Sequence, residues 1–172
     1  RIHEGPNPDK LGNLREFLNE LGLYLPGGEK PLPADYSKVL QQIVQRPDRH
    51  LLQMMLIRSM MQAVYQPENL GHFGLGFPSY AHFTSPIRRY PDLLVHRGIR
   101  YLVRNKAYAN LKKEKNAKKL NKNSIYPYSF NDMENLGQSC STAERRADAA
   151  SYSVLDWLKC EYMQDRVGDE FT

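Results

Sequence analysis

Residues 80–97, Tyr-Ala-His-Phe-Thr-Ser-Pro-Ile-Arg-Arg-Tyr-Pro-Asp-Leu-Leu-Val-His-Arg, bring aromatic, hydroxyl, imidazole and guanidinium groups into one short stretch. The chemistry this set can do is the binding of phosphate. Ser85 followed by Pro86 predicts an N-cap and first helical turn, whose free N–H groups and positive dipole end attract anions. Arg88 and Arg89 come next, with planar forks suited to bidentate contact with phosphate oxygens. Thr84 and Ser85 can donate hydroxyl hydrogen bonds, although a capping Ser85 is already engaged. Phe83 and Tyr80 offer faces on which bases stack, a contact worth about 1–3 kcal/mol per base, and suit a core equally well. His82 fits backbone positioning or a satisfied structural imidazole better than general-base work. The pattern reads as a site for a nucleic-acid backbone. Arg88, Asp92 and His96 fall four apart, so Asp92 is expected to hold Arg88 in place rather than to catalyse.

The elements that must carry these residues are mostly helical. Asn7-Pro8-Asp9 reads as a cap and first turn, and Leu11, Leu14, Leu18 and Leu21 repeat at helical spacing up to Gly22. A Gly/Pro-rich connection over 26–33 leads to a helix over 35–45, and the break at Arg46-Pro47 opens another over 47–65. Met54, Met55, Met60 and Met61 are expected to line that helix as adaptable core filling. Gly71–Phe77 is too rich in glycine for a helix, and alternating Phe73, Leu75 and Phe77 suit a short strand. The helix opened at Ser85 is expected to run to about Asn105, with Ile87, Tyr90, Leu94, Ile99 and Leu102 available for the core. Pro91 should kink it or redirect a short first turn. Asn131-x-x-Glu134 and Ser141-x-x-Glu144 predict two capping boxes, hence a short helix and a long one reaching about Gln164, with Leu155, Trp157, Leu158 and Tyr162 on its apolar side.

Composition narrows the class. With 41% hydrophobic and 25% charged residues over 172 positions, the chain has enough apolar material for one core or a sizeable part of one. Cys140 and Cys160 form neither a disulfide framework nor a zinc site, and read as small buried hydrophobes in helices. No apolar run of membrane-spanning length and no leader pattern is present, so a cytoplasmic setting and no membrane partner are expected. The net charge of +5 is unevenly spread. Basic and acidic residues balance over 1–80, twelve oppose two over 81–122, and four oppose nine over 123–172. Positive charge therefore centres on the phosphate-binding segment and on the residues immediately C-terminal to it, as a polyanion binder requires. Arg97, Arg100 and Arg104 share a helix with apolar residues. The Lys-rich, Asn-rich run at about 107–124 reads as a surface insertion that is either a solvated loop or an aid to steering RNA.

Tyr80, the block His82–Leu93 and His96-Arg97 resemble the signature of the RNB-domain family of 3′→5′ exoribonucleases, which includes ribonucleases II and R. The likeness extends, in order, to Arg1–Pro6, Arg58–Met60 with Ala63 and Tyr65, His72–Leu75, Ala143–Asp148 and Asp156–Lys159, and leans toward the ribonuclease R branch. It implies an α+β, helix-rich fold: the C-terminal part of an RNB catalytic domain over 1–167, with 168–172 opening a linker or S1-type barrel. It implies that Arg88 is the catalytic arginine, with Tyr80, His82, Phe83, Thr84, Ser85, Arg89 and Arg97 contacting single-stranded RNA. Arg89 could serve the next phosphate or a structural ion pair, and no role is derived for His3 or Glu4.

Family members hold Mg²⁺ on aspartates upstream of the matched segments. Asp9, Asp35, Asp48, Asp92 and Asp148 are scattered at helix starts and salt-bridge positions, so no metal ligands are assigned in this chain. The expectation is an enzyme part inactive by itself, partnered by the upstream half of its own domain and prone to self-association where core surface is uncovered. The alternative is a noncatalytic helical RNA-binding module. A Cys/His hydrolase fails for want of context around either cysteine.

Overall fold

Leu11, Leu14 and Leu18 lie on one face of a helix and are almost fully buried, which fixes where the chain begins to pack. In the computed structural model, which describes residues 1–104 and 121–170, this helix is α1 (Pro8–Glu20). The Asn7 side chain accepts from the amides of Asp9 and Lys10, and Gly22 (φ 72°) supplies the left-handed residue that ends it. Leu23 and Leu25 then turn back onto Tyr36 and Val39 of α2 (Pro33–Gln42), Ile43, and Leu52 and Leu56 of α3 (Arg49–Ser59). These residues form the main core. Its one polar insertion is self-satisfied: Ser59 donates to the Leu56 carbonyl (2.7 Å), so the Tyr36 hydroxyl donates to Ser59 (2.8 Å).

Several boundaries differ from expectation. Helix α2 starts two residues early, because Asp35 reaches back 2.9 Å to the Leu32 amide, and ends at Gln42. Helix α3 is shorter than 47–65: it ends at Ser59, and Met60 turns extended (ψ 153°). Met60 and Met61 therefore lie beyond the helix, and only Met55 and Met60 pack on the core, Met54 and Met61 being exposed.

Gly71–Phe77 is a 3₁₀ turn (Phe73–Leu75) rather than a strand, closed by an isolated antiparallel bridge between His72 and Phe77 and tied to His3 by a parallel one. The His3 ring fastens it further, since Nδ1 accepts from the Gly74 amide (3.0 Å) and Nε2 donates to the Met61 carbonyl (2.6 Å). Phe73 packs edge-on to Tyr36 at 5.4 Å, joining this turn to α2. The helix-rich class thus holds, with the extended component reduced to bridges.

The signature helix α4 begins at Tyr90 and runs to Arg104. Residues 86–88 form a separate turn, so Pro91 falls in the first turn of α4, where its missing N–H is harmless. Leu94 is buried, whereas Tyr90 and Ile99 of the same helix are partly exposed and Ile87, in the turn before it, is fully exposed.

Past α5 (Lys122–Ile125), a single 34-residue helix, α6 (Phe130–Met163), replaces the expected pair. Its capping box is Ser129 with Asp132, two positions before the predicted one, Asp132 accepting from the Ser129 amide at 2.9 Å. Ser141 sits mid-helix and donates to the Gly137 carbonyl (2.8 Å). The second half of α6 is exposed, including Cys160 and the expected apolar side Leu155, Trp157, Leu158 and Tyr162, while Cys140 is half-buried. Most of the 107–124 run and residues 171–172 lie outside the described residues. Among those described, no helix is long and apolar enough to cross a membrane.

Candidate nucleic-acid interface

The signature turn is held from inside. Asp92, the third residue of α4, is fully buried, and its Oδ1 accepts from the Ser85 amide and from Arg89 Nη2, both at 2.8 Å. The Ser85 carbonyl accepts in turn from the amides of Arg88 (3.3 Å) and Arg89 (3.0 Å). The expected Arg88–Asp92 pair is therefore corrected to Arg89–Asp92. Helix starts at Tyr90, so Arg88 lies in the preceding turn and off the helix face. Ser85 is likewise not the N-cap of α4, and the amides of Ser85, Arg88 and Arg89 are committed within the protein. The buried Asp92 carboxylate occupies the place at the helix N-terminus where an anion was expected. Burial would raise its pKa, but the Ser85 amide and the Arg89 guanidinium outweigh that and hold it below the usual carboxylate range.

Arg88 remains available. Its residue is exposed, and among the described residues its guanidinium makes no hydrogen bond or ion pair. It lines a cleft of about 440 Å³ between the signature turn and α6, with Arg89, Tyr65, Tyr90, Glu144 and Asp148 among the walls.

The aromatic residues form a connected cluster beside the cleft. Tyr80 stands edge-on to His72 (5.0 Å) and His82 (5.7 Å), and His82 is edge-on to Tyr65 (5.5 Å). The Tyr65 hydroxyl lies 2.8 Å from His82 Nδ1. Burial first, then the positive charges of Arg89 and Arg1, push the His82 pKa below its ordinary value, so the ring is a neutral, hydrogen-bonded component. Phe83 stacks on His96 with centroids 4.2 Å apart, and His96 Nε2 donates to the Phe83 carbonyl (2.9 Å). Tyr80 and Phe83 nonetheless keep substantial exposed ring surface. Thr84 is exposed beside them. Arg97 is farther along α4 and faces Tyr128 (3.4 Å), whose hydroxyl also meets that of Tyr90 (2.6 Å).

Arg1 and Tyr65, to which the sequence assigned no site role, and Glu144, expected in a capping box with Ser141, complete the site. Arg1 stacks over Tyr65 (4.5 Å to the ring centroid), its Nη1 pairs with Glu144 (2.5 Å), and its backbone nitrogen donates to the Tyr80 carbonyl (3.2 Å). No local spacing could have signalled this convergence. Among the described residues no three His, Cys, Asp or Glu side chains come together as a metal site, and Glu144 is already paired with Arg1. The donor set therefore does not fit a divalent ion.

Residues 1–105 match the family described as RNB domain. The chain belongs to the RNB-domain family. The RNB chain is 54% identical to ribonuclease R of Vibrio cholerae over 170 residues, covering 99% of this chain and 20% of that protein. It is 52% identical to ribonuclease R of Escherichia coli over 171 residues, again covering 99% and 20%. The RNB chain thus spans about a fifth of the length of these curated relatives. In fold it is similar to apo ribonuclease R of Mycoplasma genitalium, with a TM-score of 0.81 at 24% identity over 98% of this chain and 25% of the other. It is similar also to that enzyme in complex with ribose-methylated single-stranded RNA (TM-score 0.79, 23% identity, 98% and 25%).

Proposed function

We propose that this chain supplies the phosphate-clamping part of a processive, cytoplasmic 3′→5′ exoribonuclease that hydrolyses single-stranded RNA to nucleoside 5′-monophosphates. The single observation that carries the reading is the exposed guanidinium of Arg88, unpartnered among the described residues, on the wall of the cleft beside α6, while its neighbour Arg89 is tied to Asp92. A planar cation held in a fixed turn with no partner among the described residues suits charge that develops on a phosphoryl group during hydrolysis. Phe83 and Tyr80 would stack bases beside it, and Thr84 would donate to the backbone. His82, neutral and bonded to Tyr65, orients the loop between them.

By the family resemblance, the metal ions would be held on aspartates upstream of the matched segments, so the chain by itself is expected to be inactive. Placement of residues 1–167 as the C-terminal part of the catalytic domain belongs to the same reading.

The test uses the full-length gene product with 5′-labelled single-stranded RNA. Stepwise release of mononucleotides is expected with Mg²⁺, falling about 10²-fold or more in Arg88→Ala, with no cleavage by residues 1–172 alone. RNA binding without cleavage by the full-length protein would instead identify a noncatalytic module.

A further inference from the structure

We infer that Asp92 is a positioning residue for Arg88: by holding both ends of the 85–89 turn on one buried carboxylate oxygen, it fixes where the Arg88 guanidinium meets phosphate. The inference rests on the proposed role of Arg88 and adds the device that aims it.

The geometry is economical in atoms. Oδ1 of Asp92 takes the Ser85 amide at the entry of the turn and the Arg89 guanidinium at its exit, each at 2.8 Å. The carbonyl of Ser85 closes the turn from the other side through the Arg88 and Arg89 amides. The peptide groups on both sides of Ser85 are thus clamped, and Arg88 lies between two fixed points. Removing the carboxylate loosens the turn at the Ser85 amide and at Arg89 without touching Arg88 itself.

The polar groups of this pair are incompletely satisfied. Asp92 Oδ2 and Arg89 Nε are buried and have no hydrogen-bond partner among the described residues. A pair kept only for stability would be expected to satisfy both groups or to be replaced by apolar side chains. Arg89 Nη2 is engaged with Asp92, so part of its charge serves the turn. Displacing a catalytic group by about 1 Å can reduce a rate about 10²-fold, so a clamp one residue removed from Arg88 is well placed to govern turnover.

Asp92→Asn keeps shape and one acceptor but removes the charge that binds Arg89. In the full-length enzyme this variant is expected to lose about 10- to 100-fold in kcat, with the KM for single-stranded RNA within about twofold, since only an interaction made in the transition state is misaligned. In an Arg88→Ala background the same substitution should change kcat by less than about twofold, because a residue acting through Arg88 has nothing left to position. A wild-type kcat in Asp92→Asn overturns the inference while leaving the nuclease reading intact. Equal losses in both backgrounds overturn it too, by showing an independent structural effect. If the full-length protein does not cleave RNA, or Arg88→Ala cleaves at the wild-type rate, the proposed function fails and this inference with it. Should Asp92→Asn not fold, amide exchange in the wild-type enzyme decides: Ser85 protected against exchange supports the clamp, and Ser85 exchanging as a free loop amide overturns it.

Discussion

Phe83 and His96 lie face to face, 3° from coplanar with centroids 4.2 Å apart, and the same His96 donates through Nε2 to the Phe83 carbonyl. One face of Phe83 is thus spoken for by the protein, while the residue remains 45% exposed. Phe83→Ala is expected to weaken binding of single-stranded RNA to the full-length protein by about 1–3 kcal/mol, read by fluorescence anisotropy. His96→Ala should lower stability by about 0.5–1.5 kcal/mol through the lost ring contact, read by urea denaturation. RNA affinity unchanged in Phe83→Ala would remove this ring from the interface.

The junction of α6 with the segment before the signature depends on Gly137 and Ser141. A Cβ at Gly137 would stand 2.4 Å from the Tyr65 carbonyl oxygen, a backbone atom that cannot swing aside. Alanine gains about 1 kcal/mol of helix propensity, but overpacking against backbone costs about 1–3 kcal/mol or more, so Gly137→Ala should destabilise. Ser141 accepts from the buried Tyr65 amide at 2.9 Å, and Ser141→Ala should lose about 1–3 kcal/mol by leaving that N–H unpaired. Thermal melts of both variants check the signs.

Acid should weaken this fold before its carboxylates titrate. His82 and His72 both have pKa values pushed below the ordinary 6.5, mainly by burial, with Arg89 and Arg1 adding to the effect at His82 and His3 at His72. The unfolded chain therefore takes up protons that the folded one resists. Their contribution is fully present above the ordinary value and is lost as pH falls through the lower folded values. Denaturation midpoints should decline from about pH 7 downward, and His82→Gln should flatten part of that slope. A pH-independent midpoint in the wild-type chain over this window would count against neutral, half-buried imidazoles.

Leu155, Trp157, Leu158 and Tyr162 are each about half exposed or more on the last turns of α6. An apolar stripe of this kind favours self-association. The 172-residue chain should show a mass that rises with concentration in light scattering, and Trp157→Glu should reduce the rise. A constant monomer mass across concentrations would exclude the stripe as a contact.

Local chemistry is written plainly in this sequence. The Asn7 cap, the Leu11, Leu14 and Leu18 stripe, the stop at Gly22 and the phosphate-binding composition of residues 80–97 each arise from neighbours a few positions apart, and all but the last are seen directly in the fold. Periodicity misjudged the signature helix because Ser85–Arg89 satisfies helix-start rules as well as Tyr90 does. The choice between them is made by a buried Asp92, which moves the start to Tyr90 and exchanges Arg88 for Arg89 as its partner. The same holds for α6, where two capping patterns compete and the Tyr65 amide turns Ser141 into an interior receptor rather than a cap. Only tertiary structure could bring Arg1 to Glu144 across 143 positions and close the cluster around Tyr65 and His82. Short-range rules describe which groups can pair with near neighbours. Which of them remain free to meet a phosphate depends on distant side chains arriving to claim the others.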